Sequence, residues 1–170
     1  MHKNIGLKLV KKQIDMVIQR WQSVLLFLAA AMMACFTFVP MGQVITPEYT
    51  FSFSGLGFIQ EGQATDGSPV NNFHTWYFFM MCLTTIVILL IDIFLYRNLS
   101  FQKKICLVGV LFIIASGAVA GCLGFSSIEG GSIEWSVSAL CPFIALFATL
   151  LAYNRMKSDE NKLKSADRLR

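Results

Sequence analysis

Four apolar stretches alternate with polar segments along the chain, at residues 21–39, 73–96, 105–125 and 135–153. A helix rises 1.5 Å per residue, so about 20 residues cover the ~30 Å hydrocarbon core of a bilayer. Each stretch therefore predicts a transmembrane helix. Between the first two the period changes from helical to alternating: Tyr49, Phe51 and Phe53 are interleaved with Thr50, Ser52 and Ser54, the signature of a half-buried strand. Gly55 and Gly57 allow a tight turn, and residues 58–61 can return as a second strand. Residues 62–72 read as loop. A lone two-stranded hairpin is marginal in water, so its aromatic face is expected to rest on the bundle or on a partner.

The third stretch carries no charge and has one bare face. On a helical wheel Gly109, Ser116, Gly117, Ala120, Gly121 and Gly124 fall on one side, with Gly117 and Gly121 in GxxxG spacing. Helices in lipid associate by close van der Waals approach, which missing side chains permit. The strip predicts the packing spine of the bundle, within the chain or against a second subunit. In the first stretch, Ala30 and Ala34 offer a smaller version of the same contact before Pro40 closes the span. Ala34-Cys35 resembles a lipoprotein cleavage site, but Met32 stands where leucine is usual and residues 36–39 continue the helix. The second stretch opens on an aromatic belt suited to a membrane interface, and the fourth has Pro142 about two turns in.

Charge decides the orientation. All 14 Lys and Arg residues lie in segments 3–20, 97–104 and 155–170. The two remaining connecting segments, 42–72 and 126–134, carry Glu48, Glu61, Asp66, Glu129 and Glu134 and no basic residue. The positive-inside rule then places both termini in the cytoplasm. Residues 1–20 suit either an amphipathic helix on anionic headgroups or a disordered basic leader. Residues 97–104 read as a short basic turn, and 154–170 as a charged helical tail with Glu160 and Lys164 at pairing distance. At 55% hydrophobic and 14% charged, 170 residues make one membrane domain. Each basic cluster flanks an apolar run, a pattern unlike a nucleic-acid surface.

Little catalytic chemistry is on offer. The five cysteines sit in or beside apolar runs with no CxxC, which indicates neither a disulfide framework nor a metal site. His74 has no ligand partner at useful spacing, and the adjacent methionines 32-33 and 80-81 point to different helix faces. No serine has a His/Asp setting and no phosphate-cradling glycine loop follows a strand, so neither an enzyme nor a cofactor is expected. Asp92 is the one acidic residue inside a span. Intramembrane carboxylates are suspects for ion or proton paths, but such a path needs further stations. Pairing with Arg97, Lys103 or Lys104 near the inner boundary is the expectation.

Several pieces together resemble a known family. They are Ile18-Gln19-Arg20-Trp21-Gln22-Ser23, Arg97-Asn98 with Gln102-Lys103-Lys104-Ile105-Cys106, Pro142, Asn154-Arg155, and the tail from Lys157 to Arg170. The chain from about Met16 resembles domain-of-unknown-function family 4293, four-span membrane proteins of Gram-negative bacteria. Residues 1–15 then look like an extension or an early start codon, and Asp92 is not part of the family pattern. The resemblance implies an inner-membrane location and supplies no activity.

The expected fold is an all-α integral membrane protein: an antiparallel four-helix bundle with a small β-hairpin in the first outer loop and both termini cytoplasmic. The expected role is a non-enzymatic accessory or scaffolding subunit. Its partner surface would be Gln19, Arg20, Gln22, Arg155, Lys164, Ser165, Asp167 and Arg168, facing a membrane or cytosolic protein or another copy of the chain. The alternative is a small transporter or channel with a path past Asp92.

Overall fold

A computed structural model of the chain describes residues 21–45, 50–61, 75–95, 98–126 and 132–168. It is mostly helical, with four long apolar helices and a small antiparallel sheet. Helix α1 spans Trp21–Phe38, α2 Trp76–Phe94, α3 Leu99–Ser126 and α4 Cys141–Arg168. All four are long and apolar enough to cross a membrane.

Cross-contacts fix the packing. The start of α1 meets the end of α4 through Gln22 and Asp159, while its end meets the start of α2 through the edge-to-face rings of Phe36 and Phe78. Gln102 of α3 bonds back to the last turns of α2, and Cys106 of α3 bonds to the Thr149 carbonyl of α4. Consecutive helices are therefore antiparallel. The buried stripe of α2 is Phe78, Cys82, Thr85, Leu89 and Asp92, spaced at alternating fours and threes. That of α4 includes Cys141, Ala145, Ala148, Ala152 and Met156, small enough for close helix approach. Thr37, Thr85, Ser116 and Thr149 turn their hydroxyls onto carbonyls three or four residues back in their own helices, which satisfies these four buried donors; the Thr75 hydroxyl at the start of α2 is buried without a partner among the described residues.

The expected hairpin is present as β2 (Thr50–Ser54) and β3 (Gly57–Glu61), but the sheet has four strands. Strand β1 (Gly42–Ile45) pairs antiparallel with β2 on one side and with β4 (Ser132–Trp135) on the other, giving the order β3-β2-β1-β4. Each added strand is only four residues long, too short for an alternation to stand out. Their pairing joins two connecting segments about ninety residues apart, which no local pattern encodes. The hairpin's aromatic face does rest on the bundle: Phe53 stacks on Phe58 at 4.5 Å and on Phe78 of α2 at 6.1 Å. Gly55 in the turn approaches the end of α1 so closely that its N–H donates to the Thr37 carbonyl at 3.0 Å.

The fourth span is corrected at its start. Trp135 belongs to β4, a 3-10 turn follows at Val137–Leu140, and Pro142 then lies in the first turn of α4, not two turns in. Proline fits there because a helix's first N–H groups have no intrahelical partner. The Ser138 hydroxyl ties this turn to the Pro40 carbonyl at the end of α1. The basic turn is shorter than expected: α3 begins at Leu99, so Lys103 and Lys104 are helical. At the other end, α4 continues unbroken through the charged tail to Arg168.

Candidate functional site

Two regions hold the sequence-predicted residues: a polar cluster at the tail end of the bundle and an apolar groove at the sheet end. At the tail end α4 clamps its neighbours. Gln22 Nε2 donates to Asp159 Oδ2 at 2.6 Å, and Glu160 takes Lys103 Nζ on one oxygen and Ser100 Oγ, at 3.3 Å, on the other. Gln22 is only 3% exposed. It therefore acts inside the molecule and is removed from the partner surface. Glu160 reaches across to α3; its expected pairing along its own helix falls on the Lys164 side chain, which lies outside the described residues. Arg155 is exposed, as is Ser165. Gln19 and Arg20 lie outside the described residues, as do the side chains of Lys164, Asp167 and Arg168.

Asp92 sits deeper in the same end. It is 0% exposed, and neither carboxylate oxygen has a hydrogen-bond partner among the described residues. The expected pair with Lys103 is not made, because Lys103 is taken by Glu160. Lys104 is exposed, away from the buried carboxyl, and Arg97 lies outside the described residues. Gln102, 1% exposed, donates from Nε2 to the Asp92 main-chain oxygen at 3.1 Å. That carbonyl also accepts the Leu95 N–H at 3.3 Å, so Gln102 adds a second bond to the C-terminal turn of α2 from the neighbouring helix. Its own Oε1 is left without a partner. The Cys106 thiol, one turn further along α3, borders the same carboxyl and donates to the Thr149 carbonyl at 3.7 Å.

Gln102 was legible only as part of a motif; its role was not foreseen. A signal existed. Gln102, Cys106, Ile113, Ser116 and Ala120 follow each other at helical spacing on the buried side of α3, with Val110 between, which places Gln102 on the inward stripe. Asp92 likewise extends the four-three stripe of α2, which would have argued for burial over an interfacial ion pair.

The glycine strip divides. A methyl group at Gly109 would meet Leu89 of α2 at 3.2 Å, and one at Gly124 would meet the Trp135 ring at 2.9 Å; Ser116 and Ala120 are buried. Gly117 and Gly121 have nothing within 4 Å. They are not the spine of packing within this chain. The reason is the sheet: β4 and the 3-10 turn hold the start of α4 away from this part of α3. An open groove of about 810 Å³ remains, lined by Ile114, Gly117, Gly121, Trp135, Val137 and Phe143 among others.

No group of three or more His, Cys, Asp or Glu that could hold a metal occurs among the described residues, where Cys35, Cys82, Cys106, Cys122 and Cys141 are all free thiols. His74 lies outside them. A search of curated proteins finds no match. The sequence profile of a domain of unknown function, DUF4293, matches residues 18–169, nearly the whole chain and every described helix and strand. The chain belongs to the DUF4293 family.

Proposed function

We propose that the chain is a non-enzymatic accessory or scaffolding subunit of a larger assembly in a bacterial inner membrane, with both termini cytoplasmic and the tail as its contact surface. The observation that carries this reading is the construction of α4. Its 28 residues extend about 42 Å at 1.5 Å per residue, well beyond a ~30 Å hydrocarbon core. The projecting turns are braced on α1 through Asp159 and on α3 through Glu160. A braced rod presents its outward side chains, Arg155 and Lys157 among the exposed ones, at little entropic cost on binding. The segregation of all 14 basic residues supports the orientation.

Deleting residues 161–170 tests the reading, since it keeps Asp159 and Glu160 and so leaves the clamp intact. The expected result is release of a stoichiometric partner in a mild-detergent pull-down, with the melting temperature of the bundle unchanged. A truncated chain that keeps its partner overturns the reading, as does a full-length chain that purifies as a clean homo-oligomer. A second reading, a small transporter or channel, is favoured by one observation: the buried Asp92 carboxyl, which has no hydrogen-bond partner among the described residues. Under it Asp92→Asn abolishes the cellular function while tail deletion is tolerated.

A further inference from the structure

The buried end of α2 gathers three side-chain acceptor atoms that have no hydrogen-bond donor on them among the described residues. They are both carboxylate oxygens of Asp92 and Oε1 of Gln102, on side chains 0% and 1% exposed. One hydrogen bond holds the two residues together: Gln102 Nε2 to the Asp92 main-chain oxygen, at 3.1 Å. Oε1 shares an amide carbon with that nitrogen, so the unmatched amide oxygen lies in the same buried layer between α2 and α3 as the Asp92 residue. The surrounding donors are engaged elsewhere. Lys103 and Ser100 serve Glu160, Gln22 serves Asp159 and Thr149 serves Ala145, while the Cys106 thiol, a weak donor, lies between the Thr149 carbonyl and the Asp92 carboxyl that it borders. A buried ion without a counter-charge is among the most costly arrangements a folded protein can hold, and a second bare acceptor beside it adds to that cost.

We propose that Asp92 and Gln102 form a binding site for one small monovalent cation of sodium-like chemistry, held between α2 and α3. The donor atoms are hard oxygens, which suit a hard ion and not copper or zinc. One carboxylate balances a single positive charge. Calcium or magnesium would leave one positive charge uncompensated in a buried niche with a single carboxylate, and water completes the shell of an ion held by three side-chain oxygens. Asp92 lies within the last turn of α2, so the ion has a short way in from the tail end. The site is independent of the scaffolding reading: it binds its ion whether or not the tail holds a partner.

The test uses the purified full-length protein in detergent. Sodium chloride is exchanged for choline chloride at constant ionic strength while thermal unfolding is followed, and radioactive sodium binding is measured by equilibrium dialysis. The expected results are a midpoint that climbs with the logarithm of sodium concentration, as mass action requires, and saturation at one ion per chain. Asp92→Asn should remove both. Gln102→Leu should weaken binding roughly ten- to hundredfold, the scale seen when a supporting group of an ion site is lost. Should the variants fail to fold, the wild-type measurements still decide. A wild type that binds no sodium and melts alike in sodium and choline overturns the proposal. So does an Asp92→Asn variant that folds and keeps the wild-type sodium dependence. A wild type that binds no sodium while Arg97→Gln gains binding would make Arg97 the counter-ion, and also overturns it.

Discussion

Gly55→Ala puts the joint between sheet and bundle under a defined load. The β-carbon it adds would stand 2.5 Å from the Thr37 carbonyl oxygen and 2.9 Å from the Thr37 α-carbon. Both are backbone atoms in the last turn of α1, so no side chain can swing aside. The turn must lift, and the Gly55 N–H to Thr37 bond of 3.0 Å lengthens or breaks. Overpacking of this kind costs about 1–3 kcal/mol, and a lost hydrogen bond about 0.5–1.5 kcal/mol. Together these amount to about 2–4 kcal/mol. For a chain of this length each kcal/mol is roughly 2–4 °C, which makes the expected fall in melting temperature about 4–16 °C. The buried thiols of Cys82, Cys106 and Cys141 provide the readout. In a background with Cys35 and Cys122 changed to serine, a thiol-reactive dye reports their exposure as the detergent-solubilised protein is heated. Leu56→Ala is the control, because Leu56 is the exposed neighbour in the same turn. If Gly55→Ala melts with the wild type, the turn does not press on α1 and the close approach has no energetic weight.

Gly117→Ala and Gly121→Ala should behave oppositely in a monomer: each added methyl meets nothing, and alanine exceeds glycine in helix propensity by about 1 kcal/mol. A melting temperature equal to or above the wild type in detergent bears that out, whereas a fall accompanied by loss of a higher oligomer shows that a second chain packs in the groove. The proposed orientation predicts that Ser165→Cys, in a variant without the five native cysteines, resists an impermeant thiol reagent in intact spheroplasts, while Ser132→Cys in β4 is labelled. The reverse pattern inverts the topology.

What was legible in the sequence is what depends on local pattern. The four apolar stretches became four helices, and the alternation of Phe51 and Phe53 with serines became β2 because a half-buried strand needs that period. What was missed depends on closure between distant segments. Strand β1 is extended because it pairs with β2 on one side and β4 on the other, and β4 interrupts what read as the start of a membrane span. The pair of Asp92 with Lys103 fails for a related reason. Helix phase sets the partners: Lys103 faces α4, where Glu160 waits, while Gln102 and Cys106 are the residues of α3 beside Asp92, and Arg97 lies outside the described residues.

The two ends of the bundle are closed by different means, and this explains why the glycine strip divides where it does. At the tail end α4 lies tight against α3, through Cys106 at Thr149 and Lys103 at Glu160. At the sheet end the chain enters α4 from β4, and β4 is held by β1 and by the bond from Ser136 N to the Met41 carbonyl at 2.8 Å. The start of α4 thus follows the sheet and the end of α1, not α3. Two antiparallel helices pinned together at one end and anchored to different elements at the other must splay, and the splay opens beside Gly117 and Gly121. Gly124 escapes it only because the Trp135 ring of β4 reaches over. The groove is therefore a consequence of the sheet. Loosening the sheet, as Gly55→Ala does from its far side, should change the groove before it disturbs the Asp92 end.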